Sequence, residues 1–282
     1  MSEVQIITDS TGDLSSEILI KKNIAVIPLY VVFEENTYRD GVDINPKELF
    51  KKVDETKELP KTSAPTPADF HNIFRPYIET EKSIVYIGLS SNLSSTIQNA
   101  KIAAAEFPKD RIHIVDSLNL SAGIGLLALQ AVDYAAKGLS AKEIAVEIKE
   151  TIPKMKSWFM IDTMDYLKKG GRCSSIQSFI GNILKIRPLL KVIDGKIILH
   201  QKIRGKKEKT LKAFCEEVLC HKDKMNLNRV VVIHALAEED ALYLKNSLQQ
   251  ALAIKEIVFL EAGCVISSHC GPKTVGIMYA LK

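Results

Sequence analysis

Four short loops of this chain are rich in side-chain hydroxyls, and the last one also carries an imidazole. They are Thr8-Asp9-Ser10-Thr11, Thr62-Ser63-Ala64-Pro65, the run Ser90-Ser91-Asn92-Leu93-Ser94-Ser95-Thr96, and Ser268-His269-Cys270-Gly271-Pro272. Between the third and the fourth lies Lys168-Lys169-Gly170-Gly171-Arg172. Hydroxyls, an imidazole and a guanidinium together hold an oxyanion through charge-assisted hydrogen bonds. No loop has a metal-ligand spacing. The residue types point to a site for an acid group.

Each residue has a plainer reading beside the chemical one. Ser94 opens a helical segment, where a hydroxyl commonly caps its own helix. The same position suits an anion, because free N–H groups and the helix dipole converge there. Thr62 serves equally as a turn hydroxyl before Pro65. His269 reads as a loop residue on a constrained turn, where partial positive charge would help hold a carboxylate. Arg172 either bridges its turn to the other half of the chain or reaches the head group. Asp9 has the position of a phosphotransfer nucleophile after a first strand. The D-x-D of aspartyl phosphotransferases is absent, since Thr11 occupies its second position. Asp9 is therefore expected to order the hydroxyl loops by accepting their hydrogen bonds. A Ser/His acyl-ester hydrolase using Ser94 and His269 is the alternative, although the chain has no G-x-S-x-G elbow and no evident acid to orient His269.

These loops need elements to hold them. Val4–Ile7, Ile24–Phe33, Ser83–Leu89 and Arg111–Val115 read as strands, with Ile24–Phe33 interrupted at Pro28. Leu14–Lys22, Pro46–Val53, Pro65–Phe74, Leu93–Ala104, Gly123–Ala136 and Ala141–Ile152 read as helices. Ser10 or Thr11 is placed to cap the first of them. This alternation argues for a mainly parallel sheet with flanking helices, whose ligand crevice lies at the C-terminal strand ends. The second half differs. Pro188–Ile193 and Lys196–Lys202 flank Asp194-Gly195, a strong hairpin signal. Strands at Trp158–Ile161, Val230–His234, Glu256–Leu260 and Val275–Leu281 alternate with helices at Met164–Lys169, Lys206–Cys220 and Glu238–Ala251. A hairpin among alternating elements implies a mixed sheet. The expectation is two α/β domains, residues 1–156 and 157–282.

With 282 residues, 46% hydrophobic and 26% charged, the composition is that of a globular protein. A net charge of +4 is too small to imply nucleic acid. Lys202, Arg204, Lys206, Lys207, Lys209 and Lys212 are crowded together. A solvated helix face is the first reading of that run. An acidic docking partner or a transient membrane-surface contact is the sharper one. The five cysteines, Cys173, Cys215, Cys220, Cys264 and Cys270, lack C-x-x-C spacing. Their odd number favours reduced thiols and a cytoplasmic protein. No signal core and no span of bilayer length is expected.

In this order the motifs resemble those of the DegV family: a TDST opening, a T-S-x-P loop, an S-S-x-L-S-G-T helix start, a D-S after a strand, an L-x-K-G-G-R segment and a terminal H-T-G-P-G. Here they stand as Thr8–Thr11, Thr62–Pro65, Ser90–Thr96, Asp116-Ser117, Leu167–Arg172 and His269–Lys273. The resemblance spans essentially the whole chain. It implies a non-catalytic carrier of long-chain fatty acid, with the ligand between two α/β domains and no cofactor or metal. It also implies a separate fatty acid kinase subunit that makes the acyl phosphate. On this resemblance Thr62, Ser94, Ser95 and His269 bind the carboxylate, with Asp9, Ser63, Arg172 and Cys270 around them. Arg204 is the candidate kinase contact. The acyl chain is expected in the C-terminal half, among Phe159, Ile161, Phe179, Ile180, Ile183, Leu184, Leu189 and Ile266, which read equally as ordinary core. Ser95, Cys270 and Lys273 replace the family's glycine, threonine and last glycine, and so alter the head-group surroundings.

Overall fold

A computed structural model describes residues 3–34, 36–172 and 186–282. The first half runs β1 (Val4–Asp9), α1 (Ser16–Lys22), β2 (Ile24–Ile27), β3 (Tyr30–Phe33), β4 (Asn36–Arg39), α2 (Pro46–Thr56), β5 (Lys61–Ser63), α3 (Pro67–Glu79), β6 (Ser83–Gly88), α4 (Thr96–Ala104), β7 (Ile112–Asp116), α5 (Ala122–Ala136) and α6 (Ala141–Thr151). The second runs β8 (Met155–Met160), α7 (Asp165–Lys169), β9 (Ile186–Ile193), β10 (Lys196–Arg204), α8 (Lys207–Leu219), β11 (Met225–Ala235), α9 (Glu238–Ala251), β12 (Glu256–Glu261), α10 (Cys264–Cys270) and β13 (Thr274–Leu281).

Two large sheets result. The first has the order β2-β1-β6-β7 and is parallel throughout. The second has the order β10-β9-β8-β13-β11-β12, antiparallel except for the parallel pair β11–β12. Both agree with the expected α/β class. The Ile24–Phe33 run divides at Pro28 into strands of different sheets. β3 leaves the parallel sheet and forms a small antiparallel one in the order β4-β3-β5. The Thr62-Ser63 segment, expected as a loop, is the edge strand β5, with Thr62 opposite Val31.

Local signals explain most boundaries. Asn45 and Thr66 each form a capping box ahead of a first-turn proline. Helix α3 therefore starts at Pro67, not Pro65. Helix α1 is capped by Ser15, whose Oγ accepts from the N–H of Ile18. Ser10 and Thr11 are engaged elsewhere: Ser10 Oγ accepts from Leu29 N at 3.0 Å, and Thr11 bonds Asp9. Asp194 and Gly195 both have positive φ, 48° and 75°, as a two-residue hairpin turn between β9 and β10 requires.

Helix α5 is buried on nearly all sides from Ala122 to Ala131 and packs on β1 and β6 as well as on β8, β11 and β13. A helix apolar all round belongs in an interior. One continuous core accordingly joins the two sheets, including Ile6, Val85, Leu127, Phe159, Val231 and Met278. A second core lies beneath α8 and α9, and a third beneath α3 and α4. The hairpin tip also docks on the first half. Ser90 Oγ donates to Gly195 O at 3.0 Å and Asn92 Nδ2 to Asp194 O at 2.9 Å. A side chain at residue 195 would lie within 2.2 Å of Ser90 Oγ, so the close approach requires glycine.

Candidate functional site

The hydroxyl loops gather where the small sheet, the loop after β6 and helix α10 meet. A cavity there is lined by Thr62, Ser63 and Ala64 of β5 and its exit. Leu89, Leu93 and Ser94 come from the loop after β6, and Val265, Ile266 and His269 from α10. Leu29, Leu120, Ile197 and Arg172 complete the wall. A second cavity adjoins it and shares Leu120, Ile197, Ile266 and His269. Its remaining wall includes Phe159, Leu167, Ile233, Ala235, Ala262, Gly276 and Met278, and Ser121, His234, Cys270 and Thr274 also border it, but the surface turned to the cavity is apolar. A mouth bearing polar side chains thus adjoins an apolar interior between the second sheet, the segment entering α5, and α10.

His269 lies in the last turn of α10, not in a loop. Its Nε2 is hydrogen-bonded to Thr62 Oγ1 at 2.8 Å, across the two halves of the chain. Its Nδ1 is buried and, among the described residues, has no hydrogen-bond partner. The imidazole packs on Gly170, where an added Cβ would come within 2.2 Å of Nδ1. Burial pushes the His269 pKa down to about 4, and the nearby Arg172 charge adds to the shift. The ring is therefore neutral at physiological pH, which corrects the expected partial positive charge. The positive charge of the mouth comes from Arg172.

Arg172 is half-buried. Its Nε donates to Leu93 O at 3.3 Å and its Nη1 to Gly170 O at 2.6 Å. It both bridges to the first half and borders the cavity, so its two sequence readings coincide. Ser94 lines the mouth, but it does not begin a helix: α4 starts at Thr96. Ser94 Oγ accepts from Thr96 N at 3.3 Å and is hydrogen-bonded to Thr96 Oγ1 at 2.8 Å. Ser95 is exposed, makes no capping bond, and is not in the cavity wall. Ser63 lies in the wall at the exposed edge of β5. Cys270 borders the apolar cavity, with its thiol pKa pushed up to about 12 by burial, so it stays a neutral thiol. Arg204 ends β10 with its side chain exposed.

Asp9 lies behind the site. It is fully buried and accepts from Thr11 N at 3.0 Å, Tyr86 Oη at 2.9 Å, Leu89 N at 2.8 Å and the Thr11 hydroxyl. Burial raises its pKa, and these four donors act against that shift. Two further acids were not singled out in the sequence. Asp13 Oδ1 accepts from Gly263 N at 2.8 Å, and Asp40 Oδ1 accepts from Cys264 N at 2.7 Å. Both hold the N-terminus of α10 and thereby aim His269. They come from segments remote in sequence from α10, so no local pattern announces them.

Of the apolar residues singled out in the sequence, Phe159 and Ile266 line the apolar cavity. Ile161 is buried in the shared core, whereas Leu189 belongs to the core under α8. Phe179, Ile180, Ile183, Leu184 and Cys173 lie outside the described residues. Among the described residues no cluster of His, Cys, Asp and Glu could hold a metal ion, and no helix is long and apolar enough to cross a membrane.

The His269 shift has a stability consequence. In the unfolded chain histidine titrates near 6.5 and binds protons that the folded ring refuses until about pH 4. The unfolded state therefore binds more protons in that window. Its contribution to stability is complete above about pH 6.5 and is lost as pH falls towards 4, by on the order of 2–3 kcal/mol. Denaturant unfolding of wild type and His269→Gln at both ends of the window should show this loss in wild type only. Equal pH slopes would refute the buried neutral ring.

The family model described as "Uncharacterised protein, DegV family" matches residues 3–282. A DegV domain-containing protein of Clostridium acetobutylicum is 38% identical, over 100% of both chains. A fatty acid-binding protein of Thermotoga maritima is 34% identical, over 97% of this chain and 96% of its own length. Among solved structures, a fatty-acid-binding DegV family protein from Thermus thermophilus superposes with a TM-score of 0.93 at 30% identity, covering 99% of this chain and 100% of its own.

Proposed function

The chain belongs to the DegV family, several of whose members bind fatty acids, and we propose that it carries a long-chain fatty acid to a separate kinase subunit. The observation that carries this reading is the pairing of two contiguous cavities, one with a hydroxyl, imidazole and guanidinium mouth and one almost purely apolar. A carboxylate at the mouth meets Thr62, Ser94 and Arg172. With its proton on Nε2, neutral His269 donates to Thr62 Oγ1. This leaves a buried lone pair on Nδ1 rather than a buried N–H, and it frees the Thr62 hydroxyl to donate to the ligand. Ser94 Oγ accepts from Thr96 and likewise has its own proton to give. The acyl chain then fills the apolar cavity, gaining roughly 0.8 kcal/mol per methylene buried. That sum sets affinity, while the mouth sets orientation.

In this reading residues 1–156 supply most of the mouth and residues 157–282 most of the chain cavity. The division is supported by β8, which begins at Met155 and is the first strand of the second sheet. The protein acts as a cytoplasmic, non-catalytic carrier. The hydrolase alternative needs Ser94 on His269, whereas His269 Nε2 faces Thr62 and Ser94 faces Thr96.

The chain has no G-x-x-x-x-G-K-[ST] phosphate loop, so the phosphoryl donor is assigned to the partner. Exposed Arg204, within the basic run, is the proposed contact with that kinase, and the same run is the proposed site of any transient membrane-surface contact. Rim charges act mainly on encounter rate and salt dependence. Arg204→Ala should therefore leave fatty-acid affinity unchanged in a direct titration while slowing acyl-phosphate formation severalfold at low ionic strength. Acyl phosphate made from ATP by this chain alone would overturn the carrier reading. Equal loss of affinity and transfer would move Arg204 into the ligand site.

A further inference from the structure

One position on the floor of the apolar cavity carries no side chain. Side chains alternate along β13. Val275, Ile277 and Tyr279 enter the core beneath α8 and α9, while Thr274, Gly276 and Met278 face the cavity. Gly276 pairs with Phe159 of β8 on one side and with Ile233 of β11 on the other. Both neighbours line the cavity with large side chains. Across three adjacent strands the floor therefore reads large, absent, large. A Cβ built on Gly276 would lie 3.0 Å from Ile233 Cγ2, 3.2 Å from Met278 Cε and 3.2 Å from Trp158 O. These are tighter than ordinary side-chain contacts, so Ile233 and Met278 already lie over the bare strand, and any side chain at residue 276 would push them into the cavity. Glycine within a strand weakens packing and often marks close approach of a ligand.

We infer that Gly276 is a specificity-determining residue that sets the length of acyl chain the cavity accepts, because the missing side chain lets Ile233 and Met278 lie back over β13 instead of projecting into the space of the terminal methylenes. This rests on the fatty-acid reading above and adds the depth of the site to it. The mouth residues come from β5, the loop after β6, α10 and Arg172, so a side chain at residue 276 leaves head-group contacts in place. Each methylene denied burial lowers affinity roughly fourfold. Met278, unbranched and flexible, lies over this position and adapts to modest change.

The test is a titration of wild type, Gly276→Val and Gly276→Ala with lauric, palmitic and stearic acids. In wild type, affinity should rise with each increase in length. In Gly276→Val the rise should stop early, so that stearate binds no better than laurate while laurate affinity is unchanged. Gly276→Ala should shift the same way by less, because only one carbon is added. Met278→Ala should act in the opposite sense, favouring stearate further, and it decides the matter if the valine variant fails to fold in thermal melting. A parallel loss at all three lengths, or an unaltered length dependence in the folded variants, would overturn the inference and leave the fatty-acid reading standing. Wild type that bound none of the three acids would overturn that reading, and with it this one.

Discussion

Asp9→Ala should leave the protein largely unfolded at ordinary temperature. The carboxylate has four buried donors: two from Thr11, one from Tyr86 and one from the Leu89 backbone. Alanine removes every acceptor at once, and water does not reach a residue that is 1% exposed. Each buried polar group left unpaired costs about 1–3 kcal/mol. Four of them cost about 4 kcal/mol or more, a large share of the roughly 5–15 kcal/mol that holds a domain folded. Asp9→Asn keeps one acceptor oxygen and should lose about half as much. Circular dichroism and denaturant unfolding check both. A folded Asp9→Ala with wild-type stability would show that the carboxylate is not what joins β1 to the loop after β6.

The second large effect concerns the mouth. Ser94→Ala should weaken fatty-acid binding by roughly ten- to a hundredfold, since a hydrogen bond to a charged group contributes about 1.5–3 kcal/mol. Thr62→Val should cost a similar factor. It also removes the hydroxyl that pairs with His269 Nε2 while keeping the volume of the side chain. The two losses need not add, because both hydroxyls would serve one carboxylate. Ser94 supports its own turn through Thr96, so a melting curve of the ligand-free variant must accompany the titration. Unchanged affinity in a folded Ser94→Ala would remove Ser94 from the head-group site.

Much of this arrangement was legible in the sequence, for physical reasons. The parallel sheet followed from apolar runs alternating with helical periods, and the β9–β10 turn from Asp194-Gly195, where both residues need positive φ. Thr62, Ser94, Arg172 and His269 stood out as anion-binding types, and the fold brings all four to one cavity wall. Ser95 did not follow its neighbour inward, because a turn at Ser94–Thr96 faces it to solvent. The charge of His269 was misread because burial, not residue type, decides its protonation. Asp13 and Asp40 escaped notice since their role exists only once α10 reaches them across the fold. The split of Ile24–Phe33 between two sheets was signalled by Pro28, but which sheet each piece joins is a tertiary outcome.

The central claim is that this protein carries an intact long-chain fatty acid. Lipid extraction and mass spectrometry of the protein purified without detergent test it most directly. The account predicts close to one long-chain fatty acid per chain, unmodified, and its loss from Ser94→Ala combined with Thr62→Val. Only nucleotides, sugars or cleaved ester products in the extract would contradict it.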